Sequence, residues 1–118
     1  MNIEEYRDYC LSLSSHVTES FPFDDKILVF KIGGKMFALA DVTEFISINL
    51  KCDPERAIEL REQFPGIVPG YHMSKVHWNT VSTDGSVSDK MIRELIQESF
   101  DLIVKSLPKK AKAELGVG

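Results

Sequence analysis

Ile27-Leu28-Val29-Phe30-Lys31-Ile32, then Gly33-Gly34, then Lys35-Met36-Phe37-Ala38-Leu39-Ala40, is the stretch from which the fold follows. Two β-prone runs flank two glycines, and a tight hairpin turn with positive φ at both central positions uses that pair well. Such a turn pairs Ile32 with Lys35 and Lys31 with Met36. Strict alternation then puts Leu28, Phe30, Ile32, Phe37 and Leu39 on a bulky core face, with Lys35 at its rim. Val29, Lys31, Met36, Ala38 and Ala40 fall on the other, thinner face.

Downstream, Phe45 to Lys51 alternates cleanly: Ile46, Ile48 and Leu50 point one way, Ser47, Asn49 and Lys51 the other. That pattern marks an antiparallel sheet with one packed and one wet face. Val76 to Val81 reads as a fourth strand, and Ile67-Val68-Pro69-Gly70 as a loop or edge piece, because Pro cannot donate to a ladder. Upstream, Asn2 and Glu5 form a capping pair for a helix with Ile3, Tyr6, Cys10 and Leu13 on its stripe. Phe21-Pro22-Phe23 is a loop with two apolar anchors. Asp53-Pro54 opens a second helix with stripe Ala57, Leu60, Arg61 and Phe64. Ser86 or Ser88 caps a third, with stripe Ile92, Leu95, Ile96, Ser99, Ile103 and Leu107, stopped by Pro108. Helix, three strands, helix, strand, helix argues against βαβ repetition and predicts an α+β two-layer sandwich: an antiparallel sheet with helices on one face.

At 118 residues the chain is one domain, expected over 1–108, with 109–118 a short basic and polar tail. Hydrophobic residues at 43% and charged residues at 27% exclude a disordered chain. No apolar run reaches the length of a membrane span, and the acidic start does not read as a signal peptide, so a cytoplasmic protein without a membrane partner is expected. In that setting Cys10 and Cys52 are expected as buried free thiols. The net charge is −4, against the basic excess usual in nucleic-acid binders. The charge is uneven: the first 25 residues hold six acids and one Arg, while residues 26–52 hold four Lys and two acids.

Several stretches resemble the MmcQ/YjbR family of small bacterial proteins. They are Phe21-Pro22-Phe23, the glycine hairpin, Asn49-Leu50-Lys51-Cys52-Asp53-Pro54, and Leu107-Pro108-Lys109-Lys110. The most specific are Pro69-Gly70-Tyr71-His72-Met73 and Lys75 with His77-Trp78-Asn79-Thr80-Val81. Ser14-Ser15 departs from the Pro-Gly usual after the family's first helix. The resemblance implies a CyaY-like (frataxin-like) fold and a DNA-binding role through a double-wing arrangement of hairpins.

The residues that suit such a role are Lys31, Lys35, Lys51 and Lys75 for phosphates, and Asn49, His72, His77 and Asn79 for hydrogen bonds. Trp78, taken as a core anchor, turns His77 and Asn79 outward. Four to six phosphate contacts imply weak, steeply salt-dependent DNA binding. A protein–protein or small-ligand adaptor using the same face is the alternative. His72 and His77, with Cys52 as third ligand, match no metal-binding pattern, so a metal-handling role has least support. No nucleophile elbow or phosphate loop is present, so a monomeric, cofactor-free, non-enzymatic binding module is expected.

Overall fold

The order of elements is set by the patterning just described. A computed structural model describes residues 1–116. It contains α1 (Ile3–Ser12), β1 (Thr18–Ser20), β2 (Ile27–Ile32), β3 (Lys35–Asp41), β4 (Ser47–Lys51), α2 (Pro54–Gln63), β5 (Ile67–Pro69), β6 (Trp78–Ser82), α3 (Asp89–Ser106) and α4 (Lys109–Leu115). The strands form one antiparallel sheet in the order β1-β2-β3-β4-β6-β5. The main core joins the sheet to α1, α2 and α3 on one side. The α+β sandwich therefore stands.

The helix ends obey local chemistry. Asn2 and Glu5 make the reciprocal capping box of α1. Asp53 caps α2 through the Arg56 amide, with Pro54 at the first position, and Ser88 caps α3 through the Met91 amide. Tyr6 and Cys10 are fully buried, and the Tyr6 ring meets Phe30 edge-on at 5.3 Å.

The hairpin turn is as expected, with Gly33 at φ 60° and Gly34 at φ 80°, and Ile32 opposite Lys35. Six side-chain orientations differ from simple alternation, those of Ala38, Leu39, Ala40, Ile46, Trp78 and Asn79. Phe30 pairs with Ala38 while Lys31 pairs with Met36, so Phe37 is an extra residue in β3, a β-bulge. Beyond it the alternation inverts. Ala38 and Ala40 join the main core, and Leu39 turns to the opposite face with Val29. Phe45 takes φ 46° and throws Ile46 outward, 65% exposed, just before β4 begins. β6 starts at Trp78 rather than Val76, and its register across β4 puts Trp78 beside Lys51 on the open face and Asn79 beside Leu50 on the helix face. Phe21 and Phe23 are exposed rather than anchored.

At the edges, Thr18–Ser20 adds a strand that its polar composition hid, and Ile67–Pro69 is an edge strand. Lys109–Leu115 forms α4 where a polar tail was expected; residues 117 and 118 of that tail lie outside the described residues.

The bulge is held by α3. The buried Ser99 hydroxyl donates to the Phe37 carbonyl at 2.6 Å and accepts from the Lys51 amide at 2.9 Å. The β3–β4 register, Ala38 to Leu50 and Leu39 to Asn49, would bring Phe37 opposite Lys51 next. The hydroxyl stands in for the ladder bond lost there. Replacing Ser99 by Ala should cost about 2 kcal/mol in urea unfolding, because two buried backbone groups lose their partner; a loss below about 0.5 kcal/mol, the range of neutral surface changes, would count against this role. A Cβ at Gly33 would sit 2.8 Å from both Leu107 methyls, whereas one at Gly34 meets nothing. Gly33→Ala should therefore cost about 2 kcal/mol and Gly34→Ala only about 1, the latter from positive φ alone.

Candidate functional site

The face away from the helices carries a small second core of Val29, Leu39 and Trp78, with Ile27, Met36 and Met73 packed on it. Next to this cluster lies a groove of about 460 Å³, within the usual size of small-molecule sites, about 300–1,000 Å³. Leu39, Ser47 and Asn49 form its floor. One wall is Phe23 and Ile27, and the other is Tyr71, His72 and Met73. The β3–β4 connection closes one end with Asp41, Glu44 and Ile46.

Three loops therefore build the walls, and each is tied to the sheet. Asp24 Oδ1 accepts from the amides of Lys26 and Ile27, which holds its carboxyl below the usual carboxylate range. Asp41 Oδ1 accepts from Thr43 N at 2.8 Å, a turn of the Asx kind. The Thr83 hydroxyl donates to the Phe45 carbonyl. On the far wall, Tyr71 N donates to the Thr80 hydroxyl at 2.9 Å, and Thr80 in turn donates to Asn49 Oδ1. Among the described residues the Asn49 amide nitrogen makes no further hydrogen bond, which leaves two donors at the groove floor.

Arg61, on the α2 stripe, supports this far wall from behind. Its Nε donates to Asn79 Oδ1 at 2.7 Å, and its terminal nitrogen donates to the carbonyls of Lys75 and Trp78. Lys75 Nζ donates to the Gly70 carbonyl at 3.0 Å and closes the loop on itself. His72 takes φ 58°, and its ring lies 4.1 Å from that of Tyr71.

The residues expected to bind nucleic acid are divided by this architecture. Asn49 and His72 line the groove. Lys31 and Lys51 share the open face but lie toward the Gly33-Gly34 end, whereas Asp41 and Ser47 mark the other end. Lys35 reaches Ser106 on α3 at 3.2 Å, at the rim of the helix side. Asn79, expected outward, is 2% exposed and bonded to Arg61 and to the Ala57 carbonyl, because Trp78 rather than Asn79 takes the open face. Lys75 is engaged by Gly70, and His77 is exposed while its carbonyl accepts from Cys52 N. Phe23, Asp41, Glu44 and Ile46 escaped the sequence reading. The signal available for them was the departure from alternation at Phe45-Ile46 and the Asp at a strand end.

The thiols are chemically quiet. Burial pushes Cys52 up to about 11 and Cys10 higher still, so both stay protonated at neutral pH. No three His, Cys, Asp or Glu side chains converge as metal ligands among the described residues, and no described helix is long and apolar enough to cross a membrane.

Sheet, helices and groove define a small α+β protein whose open sheet face carries a recess. The YjbR family model matches residues 12–102, and the chain belongs to that family. It is 38% identical over 99 residues to the uncharacterised protein YbdF of Escherichia coli O157:H7, covering 83% of this chain and 81% of YbdF. It is 33% identical to the uncharacterised protein YjbR of Escherichia coli strain K12, over 95% of both chains. Among solved structures, Deinococcus radiodurans DR2400, a DUF419-domain protein, superposes with a TM-score of 0.93 at 42% identity, over 99% of this chain and 89% of that one. A Pseudomonas syringae protein superposes with a TM-score of 0.75 at 32% identity, over 87% and 99% of the two chains.

Arg61→Met should free the 70–77 loop. The expected outcome is faster amide exchange at residues 71–77 and a stability loss of about 2 kcal/mol, typical of hydrogen bonds to a charged group; unchanged exchange there would remove Arg61 as the support.

Proposed function

We propose that this chain is a non-enzymatic binding protein whose site is the open-face groove, and that its ligand is a small molecule with an apolar or aromatic body. The observation that carries this reading is where the three most exposed large apolar side chains among the described residues lie. Phe23, Ile46 and Tyr71 are 64%, 65% and 68% exposed, and all three rim the same recess. Leaving such groups in water forgoes stabilisation, about 1.5–3 kcal/mol for each large side chain that burial would supply. Clustered exposure of this kind marks an interaction site.

Backbone strain supports the same place. Among the described residues the two non-glycine residues with positive φ are Phe45, next to Ile46, and His72, in the opposite wall. Each such conformation costs roughly 1–3 kcal/mol and is found preferentially at ligand sites. The floor adds the donors of Asn49 and the hydroxyl of Ser47, enough polar groups to orient a ligand in a mostly apolar recess.

The nucleic-acid reading draws on the family resemblance and on Lys31 and Lys51. It is the weaker one here, because Asp41 and Glu44 line the groove and Lys35, Lys75 and Asn79 are engaged elsewhere.

An amide-resolved NMR screen with aromatic fragments and a short DNA duplex at ~50 mM salt separates the two. The expected result is fragment-induced shifts at Ile46, Asn49 and 71–73, abolished by Ser47→Tyr, which fills the floor. Groove resonances silent to every fragment, with duplex-induced shifts centred on Lys31 and Lys51 that decline steeply with salt, would overturn the small-ligand reading in favour of DNA.

A further inference from the structure

The groove's charge pattern narrows the class of its ligand. Asp41 and Glu44 stand at one end, and among the described residues no Lys or Arg lines it. Asp41 uses Oδ1 for the turn amides of Thr43 and Glu44; among the described residues its second oxygen and the Glu44 carboxylate have no hydrogen-bond or ion-pair partner. Two carboxylates, Asp41 half-buried and Glu44 exposed, thus stand at one end of the apolar recess, and His72 is the titratable group on its far wall.

Resting on the groove reading above, we infer that the ligand is an organic ammonium: an amine or quaternary ammonium carrying an aromatic or alkyl body. Three physical effects act together on such a molecule. Its cationic head is attracted by Asp41 and Glu44. The rings of Phe23 and Tyr71, on facing walls, offer cation–π attraction, the device by which aromatic cages hold alkylated ammonium groups, the Tyr71 ring also lying 4.1 Å from that of His72. Its body covers Ile27, Leu39 and Ile46. A phosphate or carboxylate ligand would gain from the last effect and be repelled by the first. A bare divalent cation would find two carboxylates and no third acidic, His or Cys ligand converging on them among the described residues.

The test compares three probes with the same phenyl body: phenethyltrimethylammonium, 2-phenylethanol and 3-phenylpropionate, each titrated to millimolar concentration and followed at the Asn49 side-chain amide and the Tyr71–Met73 backbone amides. The cation should bind up to about fivefold tighter than the alcohol, the upper range for a partly exposed ion pair, and the propionate weakest. The double variant Asp41→Asn, Glu44→Gln keeps the Oδ1 acceptor of the turn and should bring the cation's affinity down to that of the alcohol. Raising salt from ~0.05 to ~0.5 M should weaken the cation alone, which tests the same point in the unaltered protein. Equal binding of all three, or a preference for the propionate, overturns the ammonium inference and leaves the groove as a binding site. Groove amides unmoved by every probe overturn both.

Discussion

A single hydroxyl group decides which way the centre of the sheet faces. Ser99, inserted from α3, satisfies the Phe37 carbonyl and the Lys51 amide where β3 carries one residue too many. Buried backbone groups left unpaired are costly, so a bulge in a central strand persists only when something takes up its loose ends. Because Ser99 does so, the alternation of β3 inverts beyond Phe37. Leu39 is delivered to the open face, where it becomes groove floor, and Ala38 and Ala40 let α3 lie close to the sheet. Packing, register and recess are consequences of the same local defect.

The open face is polarised along its strands. Lys31 and Lys51 lie toward the glycine turn, and Asp41 and Glu44 toward the opposite end with the aromatic walls. The helix side supplies rigidity to this arrangement rather than chemistry. Arg61 reaches from α2 to three acceptors behind the 70–77 loop, so the aromatic wall rests on a guanidinium fork as well as on its own loop contacts. Recognition groups on loops held by a fixed scaffold are a common division of labour.

Much of the architecture was legible in the chain. The glycine pair fixed the hairpin, Asn2/Glu5 and Asp53-Pro54 fixed two helix starts, Ser86 or Ser88 bracketed the third, and the stripe of α3 was legible apart from the buried Phe100 and Val104. Which face a side chain takes was legible only as far as the period of two held. The bulge at Phe37 and the left-handed turn at Phe45 each insert a phase change that no alternation count contains, since both are stabilised by partners distant in sequence: Ser99 for one, Thr83 for the other. Trp78 and Asn79 exchanged faces for a related reason. A Trp is an obvious core candidate, but Asn79 is buried at little cost because Arg61, on the stripe of α2, meets its carbonyl oxygen. The groove residues of the 41–46 loop left only the adjacent apolar pair Phe45-Ile46 and an Asp at a strand end as a trace in the chain, because their common location is a product of tertiary closure.

The two margins of the sheet bear on how the molecule behaves in a crowd. β1 and β5 are three residues each; β5 ends on Pro69, which offers no amide, and β1 carries Glu19, gripped by Arg7 at 2.7 Å. Short, charged or proline-bearing margins give a neighbouring chain little template on which to add another strand. A protein that leaves Phe23, Ile46 and Tyr71 bare on the loops around its groove can tolerate that stickiness because its borders discourage the ordered stacking that stickiness would otherwise seed.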